Sequence, residues 1–233
     1  MIMPPPRIAP DFSWPAVDTV LLDMDGTLLD KHFDDYFWEQ YVPEHYSLKH
    51  NLTVEEAKTE LLNRYRSVES TLDWTDLDYW TKELGLDISE LKIRINHLID
   101  VHPYVTTFLR FCRTIGKKVC LVTNAHPKTL AIKLEKTDIG PLFDTIICAD
   151  DIGLAKEEPQ FWDRLQQKLH FDKTRTMLAD DTEKVLISAQ QFGIAQLIFV
   201  ARSSSRKPAF YSKKFPSIEY FVELIPEPER PSV

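Results

Sequence analysis

The sequence predicts an α/β fold, a doubly wound and mostly parallel sheet with a helical cap inserted after its first strand. Three observations lead there. Short apolar runs rich in β-branched residues recur, segments with apolar residues three and four apart separate them, and this alternation stops between about residues 32 and 101. Runs that are continuous rather than alternating fit strands buried on both faces. Strand and helix in alternation imply right-handed crossovers and a parallel sheet. In such a sheet, ligands sit beyond the carboxyl ends of the strands.

The elements follow in order. MIMPPPRIAPDFSWP has three consecutive prolines at 4–6 and reads as an extended arm. It has neither the apolar h-region nor the small-residue cleavage site of a signal peptide, and no later segment approaches a membrane-spanning run, so the expected location is the cytoplasm. VDTVLL (17–22) is the first strand. The stretch 33–100 then carries helical signals, with Thr53-x-x-Glu56 and Asp87-x-x-Glu90 as candidate capping boxes. Its aromatic residues Phe33, Tyr36, Phe37, Trp38, Tyr41, Trp74, Tyr79 and Trp80 are dense enough for a small core of their own, and a few of them could face the strand ends and stack on a substrate ring. Residues 33–100 therefore read as a helical cap domain, and 1–32 with 101–233 as the core.

Four further strands are expected at KVCLVT (118–123), TIICA (145–149), RTMLA (175–179) and QLIFVA (196–201). The helices between them are YVTTFLRFCRTI (104–115), TLAIKLEKT (129–137), PQFWDRLQQKL (159–169) and EKVLISAQQF (183–192). RSSSRKPAF reads as a polar loop, FPSIEYFVELIP as a short last helix, and EPERPSV as a frayed tail.

Composition limits the partners. A chain of 233 residues, 43% hydrophobic and 27% charged, suits one large domain or a domain with a sizeable insertion. The net charge of −8 argues against a nucleic-acid polymer or a membrane surface, and leaves a small anion held locally. Cys112, Cys120 and Cys148 lie in or beside apolar runs without a C-x-x-C spacing, which suits buried free thiols in a reducing compartment.

Polar residues gather just past the strand ends. After the first strand comes DMDGTLLD (23–30). In extended backbone, residues i and i+2 share a face, so Asp23 and Asp25 converge and Met24 turns away. Two carboxylates with no His or Cys beside them call for a hard cation such as Mg²⁺. Gly26 lets the chain turn with positive φ. Asp30, where the chain leaves the core, suits a helix start or hinge. After the second strand, Thr123 and Asn124 precede a helix N-terminus and offer neutral donors to phosphate oxygens. His126 follows, either ordering the loop or touching substrate. After the third, Lys156 stands among acids, where its ammonium could neutralise a phosphoryl group. After the fourth, Asp180 and Asp181 need a cation as the first pair does.

Taken in order, DMDGT, TN, a lone lysine and DD, each behind an apolar strand, resemble the four motifs of the haloacid dehalogenase (HAD) superfamily of phosphohydrolases. The insertion matches that family's helical cap. VDTVLLDMDGTLLD, FDDYFW, LDYWTKELGLDI and LVTNAHPKTLAIKLEKT are similar to the GMP/IMP 5′-nucleotidase group within it. The resemblance implies an Asp23 nucleophile, Asp25 as general acid then base, and Mg²⁺ on the Asp23 carboxylate, the Asp25 backbone carbonyl and Asp181. Asp180 would bind the metal directly or through water, and Thr123, Asn124 and Lys156 would hold the phosphoryl oxygens. The expected activity is Mg²⁺-dependent hydrolysis of purine nucleoside 5′-monophosphates through an aspartyl-phosphate. The alternatives are another small phosphate ester as substrate, such as phosphoglycolate or a sugar phosphate, or a phosphomutase.

Overall fold

The computed structural model describes residues 7–11, 13–69 and 71–227. The proline arm at 4–6 and most of the EPERPSV tail lie outside them. The strands are β1 (Thr19–Leu22), β2 (Lys118–Thr123), β3 (Thr145–Cys148), β4 (Thr176–Asp180), β5 (Gln196–Val200) and β6 (Ser217–Ile218). They form one parallel sheet in the order β3-β2-β1-β4-β5-β6.

Alternate residues of each strand enter opposite layers, which is why the runs are continuously apolar. Val20 and Leu22 of β1, Val119 and Leu121 of β2 and Met177 of β4 face one core with α7 (Val105–Thr114) and α8 (Pro127–Thr137). Leu21, Cys120, Val122 and Leu178 face the other with α9 (Pro159–Leu169) and α10 (Glu183–Phe192). The three cysteines are free and buried.

The stretch between β1 and α7 is helical, as expected. It contains α1 (His32–Tyr36), a π-wound turn (Phe37–Tyr41), α2 (Val42–His50), α3 (Val54–Val68), α4 (Leu72–Thr75), α5 (Leu77–Leu84) and α6 (Ile88–Arg94). Thr53 and Glu56 form a reciprocal capping box on α3, and Asp87 caps α6 by accepting from the Glu90 N–H at 2.9 Å. Its buried aromatics, Phe33, Phe37, Tyr46 and Trp80, do not make a separate core but extend the apolar layer on the α7 and α8 face of the sheet. The chain leaves and returns at one place: the Asp30 N–H donates to Asp100 O at 3.0 Å, and the His102 N–H to Leu28 O at 2.9 Å. Asp30 itself accepts from the N–H groups of His32 at 2.9 Å and Ser205 at 3.0 Å, tying the start of α1 to a core loop.

The expected last helix is replaced by β6 and a 3-10 turn over Phe221–Leu224. Phe215 and Ile218 are buried in opposite layers, and Ser217 pairs with Phe199 of β5. A helix would place both apolar residues on one side, and the sheet edge offers burial on both.

Candidate active site

β1 lies between β2 and β4, and the chain turns back across it after β3, so the crossovers diverge at the carboxyl ends of β1 and β4. That is where a doubly wound sheet opens a crevice. Leu22 is in register with Ala179, and the Asp23 N–H donates to Ala179 O at 3.1 Å, which sets Asp23 beside Asp180. All seven residues expected at the site, Asp23, Asp25, Thr123, Asn124, Lys156, Asp180 and Asp181, line one cavity of about 860 Å³.

Asp23, Asp180 and Asp181 offer carboxylate oxygens that all lie within 4.8 Å of one another. Such a trio suits a hard divalent cation, and nitrogen and sulfur donors are missing from it. Burial is the main reason the Asp180 carboxyl is pushed up to about 8, with the charges of Asp23 and Asp181 adding to it. Burial likewise raises that of Asp181. A divalent cation would relieve this crowding, so the residues fit Mg²⁺. Gly26 makes the cradle possible: it sits at φ +85°, and a Cβ there would fall 2.3 Å from Asp181 Oδ2.

With Lys31 donating to Asp181 Oδ2 at 3.3 Å, Lys156 is one of two cations already in place. Only 2% exposed, it donates to Asp23 Oδ1 and, at 2.7 Å, to Asp180 Oδ2. Although burial disfavours its charge, the Asp180 and Asp23 carboxylates hold its pKa above the ordinary lysine value. Asn124 positions the loop that carries it: Oδ1 accepts from the Lys156 N–H at 3.0 Å, and Nδ2 donates to Glu157 Oε2 at 2.9 Å. Both ends of this amide are therefore engaged by the lysine loop. Thr123 Oγ1 accepts from the Ala125 N–H at 3.0 Å, which leaves its own hydrogen available to a ligand. His126 caps α8 through Nδ1 on the Lys128 N–H at 3.3 Å, and its Nε2 lies 3.4 Å from Asp76 Oδ1. It orders the loop and also lines the cavity.

Sequence reasoning missed a second layer of charge. Lys133 on α8 is 1% exposed and donates to Asp25 Oδ1 at 2.6 Å and to Asp34 Oδ2. Lys92 on α6 is 2% exposed and donates to Asp34 Oδ1 at 2.9 Å, with its ammonium 4.4 Å from the centre of the Phe37 ring. Burial is the largest influence on Asp34 and would raise its pKa, but the two ammoniums outweigh it and hold the carboxyl below the usual range. Asp25 goes the other way: burial, Asp34 and Asp23 outweigh Lys133 and lift it to about 6. A signal for Lys92 was present in the sequence. Ile88, Leu91, Lys92 and Ile95 are spaced as one inward stripe, and all four are buried.

The same cavity is also lined by Trp38, Leu61, Tyr65 and Trp74 of the helical segment. Trp38 and Trp74 are stacked with ring centres 6.3 Å apart and 29° between planes. The cavity thus brings the acidic cluster bridged by Lys156 and a set of aromatic rings into one lining.

A parallel sheet with paired acids at the divergence of its crossovers, and a buried lysine bridging them, is an arrangement suited to holding a hard cation and an anionic group together. The chain belongs to the haloacid dehalogenase-like hydrolases, whose family model matches residues 17–193. Its similarity over nearly its whole length to a nucleotidase, and to a solved HAD phosphatase, makes it a phosphoric monoester hydrolase of that family. It is 37% identical over 216 residues to the GMP/IMP nucleotidase YrfG of Escherichia coli, covering 93% of this chain and 97% of that protein. It is 26% identical over 213 residues to the pyrophosphatase PpaX of Oceanobacillus iheyensis, covering 90% and 94%. Among solved structures, a HAD phosphatase from Thermococcus onnurineus superposes with a TM-score of 0.74 at 25% identity, covering 89% of this chain and 96% of that one.

Proposed function

We propose that this chain is a Mg²⁺-dependent phosphomonoesterase that hydrolyses purine nucleoside 5′-monophosphates, GMP and IMP first among them. The carrying observation is that one cavity of about 860 Å³ is lined both by Asp23, Asp180, Asp181 and Lys156 and by the aromatic residues Trp38, Tyr65 and Trp74. The relation to YrfG extends over nearly the whole chain, helical segment included, and supports the same substrate class. We assign 33–100 as a cap on a core formed by 1–32 and 101–233, in keeping with the paired segments through which the chain leaves and returns. The buried free thiols suit action in the cytoplasm.

The reaction runs in two displacements. A carboxylate oxygen of Asp23 bonds to phosphorus as the P–O5′ bond breaks, and the departing alkoxide takes the proton held by Asp25. Water then bonds to phosphorus and gives a proton back to Asp25. The P–O bond to Asp23 breaks, its electron pair returning to the carboxylate. The sum is ester plus water giving nucleoside and inorganic phosphate. Lys156 and the Thr123 hydroxyl bind phosphoryl oxygens, and Asn124 acts by holding the Lys156 loop. Mg²⁺ held by Asp23, Asp181 and the Asp25 carbonyl, with Asp180 direct or through water, would neutralise phosphoryl charge.

The test is phosphate release from GMP, IMP, AMP, pyrimidine monophosphates, phosphoglycolate, sugar phosphates and pyrophosphate with Mg²⁺. GMP and IMP should lead, and Asp23→Asn should abolish turnover. Faster turnover of pyrophosphate or a sugar phosphate would refute the nucleotide assignment. Phosphate release short of substrate consumed would indicate a mutase.

A further inference from the structure

Lys133 is a fully buried cation that the two displacements above do not use. It is not among the residues that line the cavity, whereas its partners Asp25 and Asp34 are. Its ammonium instead holds Asp25 Oδ1 at 2.6 Å and shares Asp34 with Lys92. Two cations and two carboxylates are thus balanced in a row beside the cavity, with Asp25, Asp34 and Lys92 in its lining and α1 and α6 of the helical segment supplying Asp34 and Lys92. Such a balance avoids the cost of an isolated buried charge.

An ammonium has three donors and no acceptor. An oxygen that accepts from it is a poor place for a carboxylic proton, so when Asp25 is protonated the proton resides on Oδ2. The bond to Oδ1 also opposes rotation of the carboxyl group, since turning it over requires breaking that contact. We propose that Lys133 is a positioning residue of the reaction, fixing Oδ1 of Asp25 so that Oδ2 carries the proton passed to the leaving oxygen and later receives the proton of the attacking water. This rests on the reading of Asp25 as general acid and base. No bond to Lys133 forms or breaks: it remains an ammonium throughout, while the proton moves from Asp25 Oδ2 to the alkoxide and is replaced from water.

Leaving-group chemistry separates this role from a structural one. The nucleoside alkoxide needs a proton as it departs, and p-nitrophenolate does not. Lys133→Met should therefore lower single-turnover phosphorylation by GMP by about 100-fold or more, the scale of general acid catalysis. Phosphorylation by p-nitrophenyl phosphate should fall far less. The acylphosphate formed from the aryl ester should then accumulate, visible as a nitrophenolate burst and as acid-stable phosphoenzyme, because its hydrolysis needs Asp25 as base. In an Asp25→Asn background, Lys133→Met should cost nothing further with GMP. If Lys133→Met unfolds, the charge-balanced pair Asp34→Asn with Lys133→Met removes the same contact and is read in the same way. Equal losses with both esters, additive losses in the Asp25→Asn background, or wild-type turnover of GMP would overturn the proposal. Wild-type protein that releases no phosphate, or does so equally well as Asp23→Asn, would overturn the phosphatase reading and the role of Lys133 with it.

Discussion

Replacing Gly26 by alanine tests the cradle that brings Asp181 against β1. The added Cβ would lie 2.3 Å from Asp181 Oδ2, 2.8 Å from its Cγ and 3.1 Å from Ser203 Cβ. Relaxed carbon contacts lie at about 3.5–4.0 Å, so the carboxylate must retreat by roughly 1 Å. The backbone adds to this, since φ is +85° and a left-handed conformation costs an L-residue about 1–2 kcal/mol. For a chain of this size that corresponds to a fall in Tm of roughly 2–8 °C. The catalytic effect should be larger, because a 1 Å misplacement at a reacting centre costs on the order of 100-fold. Thermal denaturation in EDTA reads the backbone cost, and the Mg²⁺ dependence of phosphate release reads the displaced ligand. A Gly26→Ala protein with wild-type Tm and wild-type Mg²⁺ requirement would show that Asp181 does not sit against Gly26.

Three further outcomes are expected. Mg²⁺ at 100 times its Kd should stabilise the wild type by about 2.7 kcal/mol, and Asp181→Asn should lose most of that shift in calorimetry; an undiminished shift would place the ion elsewhere. Trp74→Ala should lower kcat/KM for GMP by roughly 5- to 150-fold, the equivalent of about 1–3 kcal/mol of base stacking, with a much smaller change for p-nitrophenyl phosphate; equal changes would refute a base-binding wall. His102 is held below its ordinary value of 6.5, chiefly by burial. The unfolded chain therefore takes up this proton first, so wild-type stability should decline as pH falls below about 6.5 more steeply than that of His102→Gln in parallel denaturant titrations. Identical slopes would show that His102 does not contribute.

Much of the sheet was legible because its signals are local. Five strands and the four helices that connect them appeared as continuous apolar runs and three-four spacings, within a residue or two of their observed ends. β6 was not legible: two residues carry no periodicity, and only the open edge of β5 makes Ser217–Ile218 a strand. The strand-end acids stood out for a related reason, since charge directly behind a buried apolar run is conspicuous, and Lys156 stood out as a lone cation among acids in the loop after β3.

The row Asp25, Lys133, Asp34 and Lys92 was a different case. Asp34 lay in a segment noticed for its aromatics and its resemblance, Lys133 is one of several lysines on an ordinary helix, and Asn124 reads from sequence as a phosphate donor although its amide holds the Lys156 loop. Asp25 and Lys133 are 108 residues apart, and Asp34 and Lys92 are 58 apart. The sequence by itself determined the sheet, its order of chemistry-bearing loops and the acids that need a cation, because backbone periodicity and burial act over a few residues. Only the tertiary structure decided which cation meets which carboxylate, because a buried charge takes its partner from whatever the packed layers bring within about 3 Å.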